Sequence, residues 1–316
     1  MNCSKQYIAD ISEETGFLTN NIEKVIRLLD VLDFIFSKSS FKDALCLKGG
    51  TSINLIHTNL KRLSVDIDLD YHRSLDKDKA LKDKELIVKE LDNYMKSEGY
   101  LVSDKSRGSA ILASRTYSYL GASGNNDNIK IDINFINRIS LHPCLTTQIC
   151  YFGKTVNIVS LSKEELYGMK IAAVIDRSKP RDLYDANYLF DSFGSIDFNK
   201  LRKAVLFYLS LDGIYNTDES LFNGIKSVDG TAIKKELLPV LKKGEKFNLF
   251  EVQQRIIKEL SILLLPDRNE SLYLEEFSKG NYNPSLLLDS YTAERAEKHP
   301  MAKWRTLNNK KWKRLN

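Results

Sequence analysis

Long hydrophobic runs are missing from this chain of 316 residues. No stretch approaches the roughly 20 consecutive apolar residues that a membrane-spanning helix needs. The opening residues, MNCSKQYIADISEE, also lack the basic-then-apolar order of a signal peptide. These absences argue against a membrane partner and predict a soluble protein of the cytoplasm. Hydrophobic residues make up 42% of the chain, so it can bury a substantial core, and it has room for two domains.

Cysteine is scarce, with only Cys3, Cys46, Cys144 and Cys150 in the whole sequence. Four cysteines in a chain this long are too sparse for a disulfide framework, and they are compatible with a reducing compartment. His142 lies near two of them, but the spacing matches no zinc motif. Buried thiols are therefore the expectation.

Acidic residues are absent from residues 298–316, which hold seven cations. The formal charge of the whole chain is +5, so taking away these seven leaves −2 for the rest. Trp304 and Trp312 lie among the basic residues. Two interpretations stay open: the tail contacts phosphates and stacks on bases, or it is a solvated terminus whose tryptophans pack on the body.

No repeat period or low-complexity segment interrupts the chain, and its hydrophobic patterning predicts an α+β fold. Apolar residues at helical spacing indicate an amphipathic helix from Thr19 to Phe36, and a charged helix is predicted over residues 75–97. Short apolar or alternating runs predict the following strands: Ala44–Leu47, Ser64–Asp70, Gly99–Val102, Ala110–Tyr119, Ile129–Ile136 and Thr155–Val159. After about residue 195 the pattern is helical only. We therefore predict one domain over residues 1–195 and a helical domain over residues 196–316, with the basic tail at 298–316.

The most informative stretch joins a glycine turn to an acidic strand. Gly49 and Gly50 follow a short apolar strand and permit a tight turn into a helix that starts at Thr51. In the next strand side chains alternate, so Asp66, Asp68 and Asp70 share one face. Such a row of like charges is costly unless a cation binds it.

These carboxylates have the chemistry of a magnesium site. A D-x-D pair on one strand face offers the oxygen ligands that Mg²⁺ prefers. In a later strand Lys130 and Asp132 alternate with isoleucines and so share one face. Asp132 can supply a third carboxylate, so Asp66, Asp68 and Asp132 predict a two-metal site suited to nucleotidyl transfer. The glycine turn can bring backbone N–H groups against a triphosphate. Either feature alone is common, whereas their combination is more specific.

The order of strand, Gly-Gly-Thr, helix and Ser-x-Asp-x-Asp resembles the polymerase-β-like nucleotidyltransferases. Four segments narrow this resemblance: LKGGTSINL, RLSVDIDLDY, ELYGMKIAAVIDR and KPRDLYDANYL. In sequence and order they resemble the motifs of the AbiE-type toxin nucleotidyltransferases (AbiEii family), the toxin halves of type IV toxin–antitoxin systems. The resemblance implies an N-terminal domain with a mixed sheet and flanking helices, followed by a mostly helical C-terminal domain.

The resemblance also implies roles for individual residues. Phosphate binding and metal coordination fall to residues of the first two motifs: Gly49, Gly50, Thr51, Ser64, Asp66 and Asp68. Nucleotide binding and catalysis involve residues of the other two: Lys170, Arg177, Arg181 and Asp182. The role of Asp182 stays open between orienting Lys170, holding the nucleotide and acting as a base. Without the motifs, Lys170 and Arg177 would be interpreted as a solvated helix stripe, and Asp182 as a residue that favours a helix N-terminus. Asp70 lies beyond the family pattern and is expected to support the site or to lie on the surface.

The implied activity is transfer of a nucleotide from an NTP to an RNA acceptor, with Mg²⁺ as the cofactor and Mn²⁺ as its alternative. Some family members modify the 3′ end of tRNA and so block translation, in systems that abort phage infection; a cognate antitoxin is the implied partner. Two alternatives remain. An antibiotic-modifying nucleotidyltransferase shares the glycine and D-x-D layout, but it would need an acidic acceptor pocket. A non-catalytic nucleotide-binding regulatory module would be favoured by the lack of a third carboxylate.

Overall fold

The computed structural model describes the backbone of residues 4–191 and 195–315 and side chains as far as residue 309. The chain forms two compact units, each described by itself below. The first, called the sheet unit, comprises Met1–Arg138, Cys144–Ser160 and Leu238–Glu245. The second, called the helical unit, comprises Ile139–Pro143, Leu161–Leu237 and Lys246–Asn316.

A mixed eight-stranded sheet is built from the described residues of the sheet unit. Its strands are β1 (Leu45–Lys48), β2 (Asp66–Tyr71), β3 (Leu101–Val102), β4 (Arg107–Ser109), β5 (Leu112–Leu120), β6 (Asn126–Asn134), β7 (Leu145–Tyr151) and β8 (Lys154–Ser160). The order across the sheet is β3-β5-β6-β2-β1-β8-β7, with β4 paired to β5. β2 runs parallel to β6 and β1 parallel to β8, while the other pairs are antiparallel. The predicted α+β class, with a mixed sheet and flanking helices, is confirmed.

Helices cover the sheet and bury its apolar face. They are α1 (Lys5–Thr15), α2 (Thr19–Asp33), α3 (Gly49–Ser52) and α4 (Lys77–Ser97), with π-helical turns at Phe34–Lys38 and Ile53–His57 extending α2 and α3. The predicted alternation along β2 and β6 requires an inward apolar row, and its members Ile67, Leu69 and Ile131 are fully buried. Three elements of the sheet unit that we did not predict are α1, β4 and β7.

The helical unit contains the helices α5 (Lys163–Arg177), α6 (Pro180–Asp191), α7 (Phe198–Asp212), α8 (Asn223–Ser227), α9 (Gly230–Ala232), α10 (Leu249–Leu263), α11 (Arg268–Ser278), α12 (Ser290–Glu297) and α13 (Pro300–Leu315). A Cβ added at Gly168 in α5 would lie 2.6 Å from the Cβ of Ala204 in α7, so these two helices approach closely. No helix in the described part of the chain is both long enough and apolar enough to cross a bilayer.

The division between the units falls after Ser160, whereas we predicted a domain boundary near residue 195. The prediction followed composition, which changes where the strands stop and the purely helical sequence begins. Packing follows a different rule, because the apolar face of α5 lies on α7. Helices α5 and α6 therefore belong to the helical unit.

Candidate active site

The predicted site residues form two groups, one in each unit. The group in the sheet unit consists of Gly49, Gly50, Thr51, Ser64, Asp66, Asp68 and Asp132. The group in the helical unit consists of Lys170, Arg177, Arg181 and Asp182.

Both glycines of the turn are required by close contacts. Gly49 has φ +71°, and a Cβ there would lie 2.5 Å from Oδ2 of Asp68. A Cβ at Gly50 would lie 2.6 Å from Nη2 of Arg62. The bare backbone of this turn is therefore flanked by a carboxylate on one side and a guanidinium on the other.

Thr51 ties the turn to the start of the acidic strand. Its side chain is 1% exposed, and its hydroxyl lies 2.8 Å from that of Ser64. The Thr51 hydroxyl also donates a hydrogen bond to the carbonyl oxygen of Asp66. Threonine thus holds the glycine turn in register with the strand that carries the carboxylates.

Arg62 is a residue that we missed, although it lies within the second motif. It is 2% exposed, and its Nη1 donates to the carbonyl oxygen of Leu63 at 3.0 Å. Its position beside Gly50 brings a buried positive charge to the turn. The signal that could have identified it is a basic residue directly before an apolar and acidic strand.

The two D-x-D carboxylates and Asp132 are brought to neighbouring strands. Asp66 and Asp68 are half-buried on β2, and Asp68 lies opposite Asp132 in the parallel β2–β6 pair. Adjacent strands are about 4.8 Å apart, so these side chains share one small region of the sheet face.

Asp70 has a different environment from the other two acids of its row. It is 2% exposed, and it pairs with Lys48 at 2.7 Å and accepts from Nδ2 of Asn137 at 3.2 Å. Burial alone would raise the pKa of Asp70, but the charges of Lys48 and His72 and the hydrogen bonds lower it below its usual value. Of the two expectations for Asp70, a surface position is therefore wrong, because its carboxylate is buried in an ion pair with Lys48.

Lys130 forms an ion pair with the third carboxylate. Its Nζ lies 2.5 Å from Oδ2 of Asp132, whose Oδ1 accepts from the Ser114 hydroxyl at 2.6 Å. Burial alone would lower the pKa of Lys130. The hydrogen bond to Asp132 and the negative charges of Asp132, Asp66 and Asp68 outweigh burial, so the pKa is raised above its usual value. We predicted that Lys130 would share a strand face with Asp132, but we gave it no role.

The donor set suits Mg²⁺ by its chemistry, because it consists of carboxylate oxygens around a region that already attracts a cation. Within the described residues, the group of three candidate ligand atoms that all lie within 4.8 Å of one another is Cys46, His72 and Cys144. The three aspartates therefore border the region without closing around it. A metal ion bound there would replace the Lys130 ammonium at Asp132.

In the helical unit, Lys170 and Asp182 form a buried ion pair. Nζ of Lys170 lies 2.6 Å from Oδ1 of Asp182 and 3.0 Å from Oδ2 of Asp185. The Lys170 side chain is 6% exposed, so the interpretation as a solvated stripe is wrong for this residue. Asp185 was missed, although its position three residues after Asp182 on α6 places both on one helix face.

Arg177 completes this group from the end of α5. Its Nε lies 2.8 Å from Oδ2 of Asp182, and its side chain is 57% exposed. Burial would raise the pKa of Asp182, but Lys170 and Arg177 lower it to about 2. A carboxyl group with so low a pKa is a weak proton acceptor at neutral pH, so orientation of the two cations is the role that the geometry favours.

Arg181 and an open cavity lie near the junction of α5 and α6. Nε of Arg181 donates to the carbonyl oxygen of Glu236 at 2.8 Å. The cavity has a volume of about 300 Å³, and its lining includes Arg177, Lys179 and Asp229. Arg177 is thus the cation of this group that borders open space.

A mixed sheet that carries an acidic pair behind a Gly-Gly-Thr turn, with a third carboxylate in the neighbouring parallel strand, defines the nucleotidyltransferase class. A family model described as "Nucleotidyl transferase AbiEii toxin, Type IV TA system" matches residues 30–286. Because this match covers most of the chain, the protein belongs to that family, and it is a nucleotidyltransferase. The family implies an NTP substrate, a divalent metal ion and an antitoxin partner.

The fold is also similar to that of a solved structure. MenT4, a nucleotidyltransferase toxin from Mycobacterium tuberculosis H37Rv, superposes with a TM-score of 0.64 at 15% sequence identity, covering 98% of this chain and 99% of MenT4. At this identity the likeness shows the fold alone. No match was found among curated proteins.

Proposed function

We propose that this toxin transfers a nucleotide from an NTP to an RNA acceptor in the cytoplasm, with the 3′ end of tRNA as the acceptor and a block of translation as the consequence. The observation that carries the proposal is the region around Lys130, where three carboxylates from two strands raise the pKa of one ammonium group. A site whose carboxylates stabilise a cation suits the metal-assisted transfer of a nucleotide.

The glycine turn is proposed to bind the triphosphate. Gly49 and Gly50 leave the backbone without side chains, and a turn of this kind can direct backbone N–H groups at phosphate oxygens. The buried guanidinium of Arg62 adds positive charge at this point. Thr51 and Ser64 keep the turn in place through their hydroxyl contact.

Asp66, Asp68 and Asp132 are proposed as the metal ligands. Mg²⁺, or Mn²⁺ in its place, would activate the acceptor hydroxyl and stabilise the leaving pyrophosphate when bound there. Ser114 holds one oxygen of Asp132 and so limits rotation of that carboxylate. Lys130 balances the charge of the carboxylates until a cation takes its place.

Within the helical unit, Arg177 is proposed as the exposed cation that binds a phosphate. Lys170 is nearly enclosed by two carboxylates, so its charge is largely compensated, whereas Arg177 is more than half exposed. Asp182 is therefore a positioning residue that holds both cations, and Arg177 supplies the charge that a phosphate meets.

The last helix supports an RNA acceptor. In α13, Ala302 and Thr306 are buried, while Lys303 is exposed and Trp304 is 49% exposed. An exposed tryptophan beside basic residues favours contact with bases and phosphates over packing on the body. The side chain of Trp312 lies outside the described part of the chain.

The proposal is tested by incubating the protein with total RNA and each labelled NTP in Mg²⁺, in Mn²⁺ and in EDTA. We expect label on tRNA in the presence of metal, and loss of label when the 3′ end is removed. Asp66→Asn and Asp68→Asn should abolish transfer, whereas the matched control Asp104→Asn, at an exposed site, should not. Transfer that persists in the folded Asp66→Asn variant, or label that goes to an aminoglycoside and to no RNA, contradicts the proposal.

The toxin role extends to cells. Expression of the protein should arrest growth, and expression of a cognate antitoxin from a neighbouring gene should relieve the arrest. We propose that the pair reduces phage yield by abortive infection. Growth arrest by the folded Asp68→Asn variant would separate toxicity from nucleotide transfer and refute this part of the proposal.

A further inference from the structure

Two cysteine sulfurs and a histidine nitrogen meet at one end of the sheet, beyond the Lys48–Asp70 pair. The Sγ atoms of Cys46 and Cys144 lie 2.7 Å apart, and Nδ1 of His72 lies 3.3 Å from Sγ of Cys144. One ligand atom from each residue lies within 4.8 Å of the other two. Cys46 is 1% exposed, and the other two residues are half-buried.

The fold brings these residues together from distant parts of the sequence. Cys46 on β1 lies opposite Asp70 on β2, and His72 directly follows the end of β2 at Tyr71. The backbone N–H of His72 donates to the carbonyl oxygen of Ala44 at 2.8 Å, which fixes the end of β2 against β1. Cys144 directly precedes β7.

Pairing of the strands places Cys144 beside the other two residues. β7 pairs with β8, and β8 runs parallel to β1, so the start of β7 is held two strands from Cys46. Cys46 and His72 are therefore anchored by backbone pairing of β1 and β2, and Cys144 is adjacent to a paired strand residue, Leu145. A site on such rigid elements needs little reorganisation to bind an ion.

We propose that Cys46, His72 and Cys144 bind one Zn²⁺ ion. Two thiolates and an imidazole are ligands that zinc prefers, and three protein ligands leave a fourth tetrahedral position for water or another small ligand. With Zn–S bonds of about 2.3 Å, two sulfurs of a tetrahedral site lie about 3.8 Å apart, so the cysteine side chains must separate by about 1 Å. Rotation of the half-exposed Cys144 can supply this separation.

This site is distinct from the nucleotidyltransferase site. His72 lies four residues beyond Asp68 on an extended chain, a distance of about 13 Å along β2. The sulfur and nitrogen donors of Cys46, Cys144 and His72 favour an ion such as Zn²⁺, whereas the oxygen donors of the aspartates favour Mg²⁺. The buried pair of Lys48 and Asp70 lies between the two sites along β1 and β2.

A disulfide between Cys46 and Cys144 is the competing outcome. The sulfurs are farther apart than the roughly 2.05 Å of a disulfide bond, and neither cysteine forms a disulfide in this structure. A disulfide would also leave His72 without a part in the chemistry. The presence of the third ligand therefore favours a metal ion.

The test uses the reduced, full-length protein. We expect it to bind about one Zn²⁺ per chain in competition with a chromophoric chelator. With Co²⁺ as the probe, we expect a thiolate-to-cobalt charge-transfer band in the near ultraviolet. Cys144→Ser and His72→Gln should each weaken Zn²⁺ binding by more than about 100-fold, since the loss of an outer-shell partner alone costs 10- to 100-fold.

Two matched controls separate this site from others. Cys150→Ser removes an exposed thiol elsewhere in the sheet unit, and Asp66→Asn removes a carboxylate of the nucleotidyltransferase site; neither should change the cobalt band. The cobalt band is measured on the wild-type protein. This part of the test therefore holds even if a cysteine variant does not fold. Absence of the band, or unchanged Zn²⁺ affinity in the folded Cys144→Ser variant, overturns the proposal. So does protein that retains a Cys46–Cys144 disulfide and takes up Zn²⁺ only at the aspartates.

Discussion

Gly49→Ala is the substitution that most directly tests how the glycine turn controls the carboxylates. The added Cβ would lie 2.5 Å from Oδ2 of Asp68 and 3.1 Å from both its Cβ and its Cγ. Rotation of the carboxylate relieves only the first of these contacts. The contact with the Cβ of Asp68 persists, so the backbone of β2 or of the turn must shift as well.

The structure gives the size of the effect. Ordinary contact begins at 3.4 Å, so Oδ2 of Asp68 must move by about 0.9 Å, and its Cβ and Cγ by about 0.3 Å. A misplacement of about 1 Å at a reacting centre costs about 100-fold in rate. Separately, alanine at φ +71° costs about 1 to 2 kcal/mol of stability, because its Cβ crowds the following carbonyl oxygen.

Gly99→Ala separates the two effects. Gly99 has φ +86°, and a Cβ there would meet nothing within 4 Å. Gly99→Ala should therefore lose about 1 to 2 kcal/mol of stability in urea denaturation, and Gly49→Ala should lose more because of its contacts with Asp68. Only Gly49→Ala should lose label transfer. Wild-type turnover in Gly49→Ala, or an equal loss of turnover in Gly99→Ala, would refute the reasoning.

Three further predictions concern the charged groups. Lys130→Met removes the cation that competes with Mg²⁺ for Asp132. The Mg²⁺ concentration for half-maximal transfer should therefore fall roughly threefold, which is the effect of one partly exposed ion pair. An unchanged or higher Mg²⁺ concentration for half-maximal transfer contradicts this. Asp182→Asn leaves the Lys170 ammonium with one buried carboxylate and should cost about 3 kcal/mol in urea denaturation, whereas Arg177→Gln at the exposed end should cost under about 1 kcal/mol; equal losses would count against the buried pair. The pKa of Asp182 lies at about 2, below its ordinary 3.8. Its ionised form therefore stabilises the fold by about 2 kcal/mol above about pH 4, and this contribution is lost as the pH falls through 2. Acid unfolding curves should show that Asp182→Asn lacks this contribution, and a wild-type curve that matches the variant would be inconsistent with it.

Local patterns predicted the carboxylate row and the glycine turn, because a period of two and a Gly-Gly pair are visible within a few residues. The register between β2 and β6 is a long-range property, so the pairing of Asp68 with Asp132 was expected only in outline. The same limit explains why Lys130 was seen on the correct face but given no partner. Its partner became evident only once the neighbouring carboxylates were placed.

The helical-unit group was identified by motif and misjudged by environment. A lysine and an arginine seven residues apart indicate a helix stripe, but sequence does not show what covers that stripe. In the structure α6 brings Asp182 and Asp185 to Lys170, so the lysine is buried while Arg177 stays exposed. The boundary predicted near residue 195 differs from the observed division for the same reason, because packing between α5 and α7 is not encoded in composition.

The sheet unit is discontinuous in the chain, and this affects the order in which the protein is made. The carbonyl oxygen of Val240 accepts from the N–H of Leu63, a fully buried residue next to Ser64, and the N–H of Lys243 donates to the carbonyl oxygen of Gly16. A nascent chain that ends before residue 238 leaves that N–H of Leu63 without this acceptor, at a cost of about 1 to 3 kcal/mol. The segment that carries the acidic strand is thus completed only late in synthesis, so a prematurely terminated transcript yields a weakened catalytic unit.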